Sequence, residues 1–179
     1  MTGESQPPGR TGPGEWVLLS YRVPREPSTP RIAVWRKLKR LGVAQISDGL
    51  VSLPADARTR EQLEWIADEV IEAGGTASIW LARPATLAQE RELATTMAAA
   101  RAAEYQAVID QAAQTAGSTN TTALVRKLRA ELRRIGRRDF FPPLERDQAH
   151  AAVRALADEP DDAPGSVPPK TLHHQEESA

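Results

Sequence analysis

The chain has 179 residues, with 24 acidic and 23 basic side chains, a formal net charge of −1 and no cysteine. Without cysteine there can be no disulfide, thiolate metal site or cysteine redox sensor. No apolar run approaches the length of a membrane span, and no signal-peptide core is recognisable, so we expect a cytoplasmic protein. The segments 1–14 and 159–179 are rich in Pro, Gly and polar or acidic residues, which predicts that both are disordered.

Residues 15–84 predict one βαββαβ unit. The apolar run 16–23 predicts the first strand, because β-prone residues continue until a proline stops them. Thr29 is the expected N-cap of the first helix, with Pro30 at the first helical position, and Gly42 ends that helix. The residues expected on its buried face are Ile32, Trp35, Leu38 and Leu41.

A hairpin and a second helix complete this unit. The dipeptide Asp48-Gly49 lies between two short strand-like runs, 44–47 and 50–53, and predicts a tight hairpin turn. The second helix is expected to open at Thr59, and a fourth strand is expected at 76–82. The buried stripe expected for the second helix is Leu63, Ile66, Val70 and Ile71.

Residues 85–158 predict a helical extension packed on that unit. No Pro or Gly occurs between 86 and 116, which indicates a long helix. Residues 117–120 form a break, and the next helix repeats Leu or Ile every three or four positions until Gly136. We expect these two helices to pair as an antiparallel hairpin, anchored by Phe140 and Phe141. A last helix should run to about residue 158, with Ala149, Ala152, Val153 and Leu156 on one face.

The element order is therefore the ferredoxin-like pattern. The predicted fold class is α+β: a ferredoxin-like βαββαβ sandwich at 15–84, followed by a helical hairpin and a short last helix. This fold hosts many unrelated functions, so the function has to be argued from side chains.

Basic residues concentrate on two of the predicted helices, although the whole chain is nearly neutral. Two such faces suit a phosphate backbone, which indicates nucleic-acid binding. The alternative is that both are ordinary solvated faces, as charge runs often are. The candidate phosphate-binding residues are Arg36, Lys37, Arg40, Arg126, Arg129, Arg133, Arg134 and Arg137.

A second hypothesis is an oxyanion-responsive interaction module. The helix start at Thr29-Pro30 presents free N–H groups and a positive dipole end. Arg22, Arg25 and Arg31 are close to it in sequence and could complete a site for chromate, sulfate or phosphate. The alternative is a capped helix with surface arginines.

The residues give little support for an enzyme. All three histidines lie in the last helix or the tail, at 150, 173 and 174. No nucleophile elbow, Gly-rich phosphate loop or metal-ligand spacing occurs, so we expect no cofactor and no metal. The first strand also lacks the carboxylate that a metal-dependent nuclease on this fold would need.

Several stretches of the chain resemble the N-terminal domain of the ChrB family of chromate-resistance regulators, over residues 15–158. The stretches that carry the resemblance are 16–24 (WVLLSYRVP), 31–42 (RIAVWRKLKRLG), Asp48-Gly49-Leu50 with Leu53-Pro54, Glu64-Trp65 with Gly74-Gly75, and 137–142 (RRDFFP). The resemblance implies a regulator that binds the promoter of a chromate-resistance operon and responds to chromate, on a fold related to the PaaX repressors and Cas2. A homodimer is expected.

Longer ChrB proteins carry a second, C-terminal domain, and we expect it to be missing here because an acidic tail stands where it would start. No winged-helix module of the PaaX kind is recognisable, so any DNA contact is expected from the basic helices. The less favoured alternatives are a Cas2-like nuclease and a chromate reductase.

Overall fold

The computed structural model describes residues 14–115 and 121–158, which form a four-stranded sheet and five helices. The predicted turn at 117–120, the predicted tail at 159–179 and all but the last residue of segment 1–14 lie outside this range. The elements are β1 (Trp16–Arg22), α1 (Ser28–Leu41), β2 (Ala44–Ser47), β3 (Leu50–Pro54), α2 (Ala57–Glu72), β4 (Thr76–Ala82), α3 (Leu87–Thr115), α4 (Thr121–Gly136) and α5 (Glu145–Asp158).

The sheet has the strand order β2-β3-β1-β4, with every neighbouring pair antiparallel. This is the ferredoxin-like arrangement, and it confirms the predicted fold class. The register pairs Val17 with Leu53 and Leu19 with Val51, and all four side chains are fully buried. Because side chains alternate between faces, these residues form one apolar face, which packs with buried residues of α1 and α2 in the first core.

Helix α1 differs from its prediction at the start and in orientation. It begins at Ser28 with Pro27 as N-cap and has no side-chain cap, so the expected Thr29 cap is wrong and Pro30 is the third helical residue. Gly42 ends it as predicted, with a left-handed φ of 73°. The buried residues are Val34 and Leu38.

The predicted stripe of α1 was therefore partly wrong. Ile32 is 45% exposed and Trp35 is 37% exposed, whereas Leu41 packs partly against the first core. The helix is turned so that Val34, which the periodicity did not select, contributes to the sheet-facing side.

Helix α2 begins two residues before the predicted start. Asp56 is its N-cap: the carboxylate accepts a hydrogen bond from the Thr59 backbone N–H at 2.6 Å, and the Thr59 hydroxyl bonds back to the Asp56 N–H. This reciprocal pair satisfies two otherwise unpaired N–H groups. The predicted stripe is buried except at Ile71, which is exposed.

The three C-terminal helices form a bundle with a second core. Helix α5 packs against both α3 and α4, which also pack on each other. The predicted helical pairing is thus part of a three-helix bundle, and Ala149, Val153 and Leu156 of α5 are buried as expected. Both predicted anchors, Phe140 and Phe141, lie against the first core.

Helix α3 connects the two cores because it is 29 residues long. Its Met97 belongs to the first core and its Val108 to the second. A charged cluster lies where the cores meet, and we call it the polar joint; it consists of Arg101, Glu104, Tyr105, Arg138 and Asp139.

The polar joint is held by short hydrogen bonds. Glu104 accepts from Arg101 at 3.0 Å and from Arg138 at 2.7 Å, and the Tyr105 hydroxyl donates to Asp139 at 2.9 Å. Burial lowers the pKa of Arg101, and burial together with the Asp139 hydrogen bond raises the pKa of Tyr105 to about 12. These bonds join α3 to the segment that follows α4, and Gly42 of the ferredoxin-like unit lies directly against the joint.

Candidate nucleic-acid interface

Helix α4 presents a stripe of exposed arginines beside its buried face. Val125, Leu128, Leu132 and Ile135 are buried against the bundle, which fixes the rotation of the helix about its axis. Residues spaced three or four apart share a face. The exposed residues with that spacing, which we call the arginine stripe, are Arg126, Arg129 and Arg133 of α4 and Arg137, the first residue after the helix.

The guanidinium groups of the arginine stripe carry unneutralised charge. None of them forms an ion pair with another residue in the part of the chain that the structure describes. Arg126, Arg129 and Arg133 also border a shallow groove, which Thr121, Thr122 and Ala157 complete. A row of arginines without ion-pair partners beside a groove can bind phosphate groups.

Arg134, also predicted as a phosphate ligand, lies outside the stripe. It is exposed, but its guanidinium donates to Glu131 at 2.6 Å, three residues earlier on the same helix. That hydrogen bond raises the pKa of Arg134. Its charge is therefore partly neutralised within the helix.

Of the predicted phosphate-binding residues of α1, two are exposed and one is held in an ion pair within the fold. Arg36 and Arg40 are exposed one helical turn apart. Lys37 is half-buried and forms an ion pair with Glu69 of α2, so its charge is partly used within the fold. Lys39 lies 5.0 Å from the ring centre of Trp35, a cation–π contact that keeps its ammonium at the surface.

The C-terminal ends of the two basic helices meet at the polar joint. A Cβ placed on Gly42, the C-cap of α1, would lie 3.0 Å from the Cβ of Arg138, which follows Arg137 of the stripe. Basic residues also stabilise a helix C-terminus through its dipole, which accounts for some of the charge in both last turns. The contacts at the joint could not be read from the sequence, because Gly42 and Arg138 are 96 positions apart.

The structure brings together two of the three predicted oxyanion residues. Arg22 and Arg31 border one open concavity with Tyr21, Trp35 and Asp48, and Arg25 does not border it. Burial, and then the charge of Asp48, raises the pKa of Tyr21. The Asp48 carboxylate borders the same concavity and would repel an anion there, which opposes the attraction of the two arginines.

No group of three or more potential metal-ligating His, Asp or Glu side chains occurs within residues 14–115 and 121–158. Over the same residues, no helix is long and apolar enough to cross a membrane.

Trp16 and Trp80 lie on the same face of the sheet, because Leu18 pairs with Trp80 and Trp16 is two residues from Leu18. Phe141 stacks on Trp16 with ring centres 5.9 Å apart, and Trp16 is buried as a result. Trp80 remains 58% exposed. A pair of base-stacking platforms is therefore not available on this face, since one of the two rings is covered.

Fold and surface together define a ferredoxin-like domain that is fused to a three-helix bundle, of which one helix, α4, is basic. The family model described as "Protein ChrB, N-terminal" matches residues 31–121, just over half of the chain, and the chain belongs to this family. The arginine stripe lies beyond residues 31–121, which the family model matches.

A curated relative agrees with that assignment. The chain is similar to Protein ChrB of Cupriavidus metallidurans, with 28% identity over 143 aligned residues that cover 71% of this chain and 40% of the relative. The chain thus spans less than half the length of that relative. No solved structure matches the chain.

Proposed function

We propose that this protein is a DNA-binding transcriptional regulator of chromate resistance, and that the arginine stripe of α4 binds the phosphate backbone. The observation that carries the proposal is the set of four exposed guanidinium groups, without ion-pair partners in the described residues, three on one face of a packed helix and one directly after its end. The link to chromate comes from the family resemblance.

The dimensions of the stripe suit one strand of a duplex. From Arg126 to its end at Gly136 the helix rises by about 15 Å, at about 1.5 Å per residue, and Arg137 follows directly. One strand of B-DNA places a phosphate about every 3.4 Å along the helix axis, so the stripe spans roughly five phosphates. Arg36 and Arg40 add two exposed charges on α1, whose last turn meets the end of α4 at the polar joint.

Salt dependence provides the first test. Four phosphate contacts predict a slope of about −0.9 × 4 in a plot of log affinity against log salt, which weakens binding roughly 10²-fold between 50 and 200 mM. The assay is fluorescence anisotropy with duplex DNA from upstream of the gene of this protein. Affinity unchanged over that range would contradict the proposal.

Charge reversal tests the position of the interface. The double variant Arg129→Glu, Arg133→Glu is expected to lose at least tenfold in affinity, and its salt slope should become shallower. The matched control is Arg83→Glu, Arg91→Glu, which makes the same change in net charge at two exposed arginines outside α4 that form no ion pair within the described residues. Equal losses in both double variants would show that only net charge matters, and would remove the stripe as the interface.

A homodimer is part of the proposal, and the support for it is the edge of the sheet. Strand β4 pairs only with β1 among the described residues, and it exposes 58% of Trp80 and 51% of Leu81. An unprotected edge strand of seven residues offers N–H and C=O groups to a second copy. Two copies would present two arginine stripes to one duplex.

Sedimentation velocity tests the dimer. The variant Trp80→Lys, Leu81→Lys is expected to sediment as a monomer, because it places charges on both faces of the proposed edge contact. Trp65→Lys is the control, since Trp65 is equally exposed but lies on α2. A wild-type protein that sediments as a monomer at all concentrations would rule out the dimer without affecting the DNA measurement.

A second candidate function is direct oxyanion sensing, favoured by the concavity that Arg22 and Arg31 share. Calorimetry with chromate and with sulfate should show binding heat that Arg22→Gln or Arg31→Gln reduces and that Arg25→Gln preserves. No heat from either anion at millimolar concentration would remove this candidate. The anisotropy assay repeated with chromate would then show whether the DNA complex responds to chromate at all.

A further inference from the structure

The face of the sheet opposite α1 and α2 is only partly covered. The register places Trp16, Leu18, Ser52 and Ala82 on this face, and the N-terminal half of α3 lies over part of it through Leu93. A pocket of about 390 Å³ remains between α3 and strand β2. Its size is within the range of small-molecule sites, which start near 300 Å³.

The pocket has an apolar interior and one buried hydroxyl. Trp16, Leu18, Ala44 and Leu93 give it an apolar wall, whereas the exposed Gln45, Gln89 and Thr96 add polar groups that solvent already reaches. Ser52 borders it as well, and its side chain is fully buried with no hydrogen-bond partner for the Oγ atom. A buried hydroxyl without a partner costs free energy, and a ligand that supplies the partner would recover it.

The charged groups at the pocket offset each other. Arg83 and Glu92 are the charged side chains that border it, both are exposed, and neither forms an ion pair within the described ranges. One cation and one anion at the rim give no net preference for either sign of ligand charge. Among the uncharged polar residues that border the pocket, Ser52 is the buried one, so the apolar wall and Ser52 distinguish its interior from the solvated rim.

We infer that this pocket binds a small, uncharged, mainly apolar molecule that carries one hydrogen-bonding group, with the Ser52 hydroxyl as its polar contact. The site shares no residue with the groove beside the arginine stripe, and it shares Gln45 but no charged residue with the Arg22–Arg31 concavity. It is therefore independent of the proposed DNA binding. Apolar pockets with few, well-placed polar groups are the common form of such sites.

Phenol and toluene are suitable probes, because they share one ring and differ in the single polar group. Titration of the full chain, followed by amide chemical shifts, should move the signals of Ala44, Ser52 and Ala82 together and to saturation with either probe. Ser52→Ala should weaken phenol binding roughly fivefold, the usual value of one hydrogen bond. Toluene binding by the same variant should change by less than twofold.

A variant whose side chain fills the pocket tests where the probes bind. Thr96→Phe places a ring in the pocket, because Thr96 borders it, and should abolish the shifts caused by both probes. Thr95→Phe is the matched control: Thr95 is an exposed neighbour that does not border the pocket, so this variant should bind as wild type. Circular dichroism shows whether both variants keep the fold.

Three results would overturn the inference: no saturable shift with either probe, shifts scattered away from the pocket, or equal binding by Thr96→Phe and wild type. If Thr96→Phe does not fold, the Ser52→Ala comparison decides alone, since that change removes only an unpaired hydroxyl. Equal loss of phenol and toluene affinity in Ser52→Ala would exclude the hydroxyl as the polar contact. No nucleic acid enters the assay, so its failure leaves the proposed function untouched.

Discussion

Replacing Gly42 by alanine would test the packing that joins the two cores. Gly42 ends α1 with φ at 73°, in the left-handed region, where a side chain is strained. A Cβ at this position would lie 2.6 Å from Nη1 of Arg101 and 3.0 Å from Cβ of Arg138. Arg101 is buried and bonded to Glu104, and the Cβ of Arg138 moves only with its backbone, so neither neighbour can give way freely.

Gly74 provides a control for the part of the free-energy cost that comes from backbone strain alone. Gly74 has φ at 77°, but a Cβ there would meet nothing within 4 Å. Left-handed strain costs about 1–2 kcal/mol, and the reduced entropy of the unfolded chain returns about 0.4–1 kcal/mol, so Gly74→Ala should cost about 1 kcal/mol. Gly42→Ala should cost about 2 kcal/mol more, because overpacking typically adds about 1–3 kcal/mol.

Urea unfolding measures both free energies of unfolding. Tryptophan fluorescence reports on the ferredoxin-like unit, which contains all four tryptophans, and far-ultraviolet circular dichroism reports on the helices of both units. The expected result is a lower midpoint for Gly42→Ala than for Gly74→Ala in both signals. Free energies of unfolding within about 0.5 kcal/mol of each other would refute the argument that Gly42 is required by the polar joint.

Other perturbations have equally direct readouts. Asp56→Ala should lower the free energy of unfolding by about 1 kcal/mol through loss of the α2 cap, whereas Asp68→Ala, an exposed acid within the same helix, should change it by less than about 0.5 kcal/mol. The raised pKa of Tyr105 means that the folded protein keeps its phenolic proton longer than the unfolded chain does. Its contribution to stability is therefore complete below pH 10 and is lost as the pH rises through about 12. This loss of stability should be absent in Tyr105→Phe, which also removes the hydrogen bond to Asp139. The same dependence of the free energy of unfolding on pH in the variant and the wild type would contradict the prediction. Phe141→Ala should cost about 2 kcal/mol and red-shift the tryptophan emission, because Phe141 covers a buried indole ring; unchanged emission would argue against that stacking.

The sequence by itself determined the order and type of the elements, because turns, helix-ending glycines and β-prone runs act over a few residues. It did not give the N-terminal ends of α1 and α2, which begin at Ser28 and Ala57. The strands 44–47 and 76–82 have the predicted bounds. Gly42 ends α1 as predicted, because glycine readily adopts the left-handed conformation of a helix C-cap. The hairpin at Asp48-Gly49 is equally local. The element order was then enough to predict the ferredoxin-like fold.

The residues of the candidate interface could also largely be predicted from the sequence, since they depend on spacing along one helix. The alternation of Leu and Arg in α4 fixes which side is buried, and therefore which arginines are exposed together. The sequence could not show that Glu131 neutralises Arg134 while Arg133 stays unpaired, or that Glu69 pairs with Lys37. Side-chain pairing depends on rotamers and, for Lys37, on a neighbouring helix.

Tertiary packing decided the remaining features, because they depend on residues far apart in the chain. The face that α1 buries was set by the sheet, which selected Val34 over Ile32. The polar joint brings Arg101 and Arg138 to Gly42, and the pocket at Ser52 exists because α3 covers only part of the open sheet face. Local periodicity carries no information about such contacts, since it records which residues share a side of one element but not what that side meets.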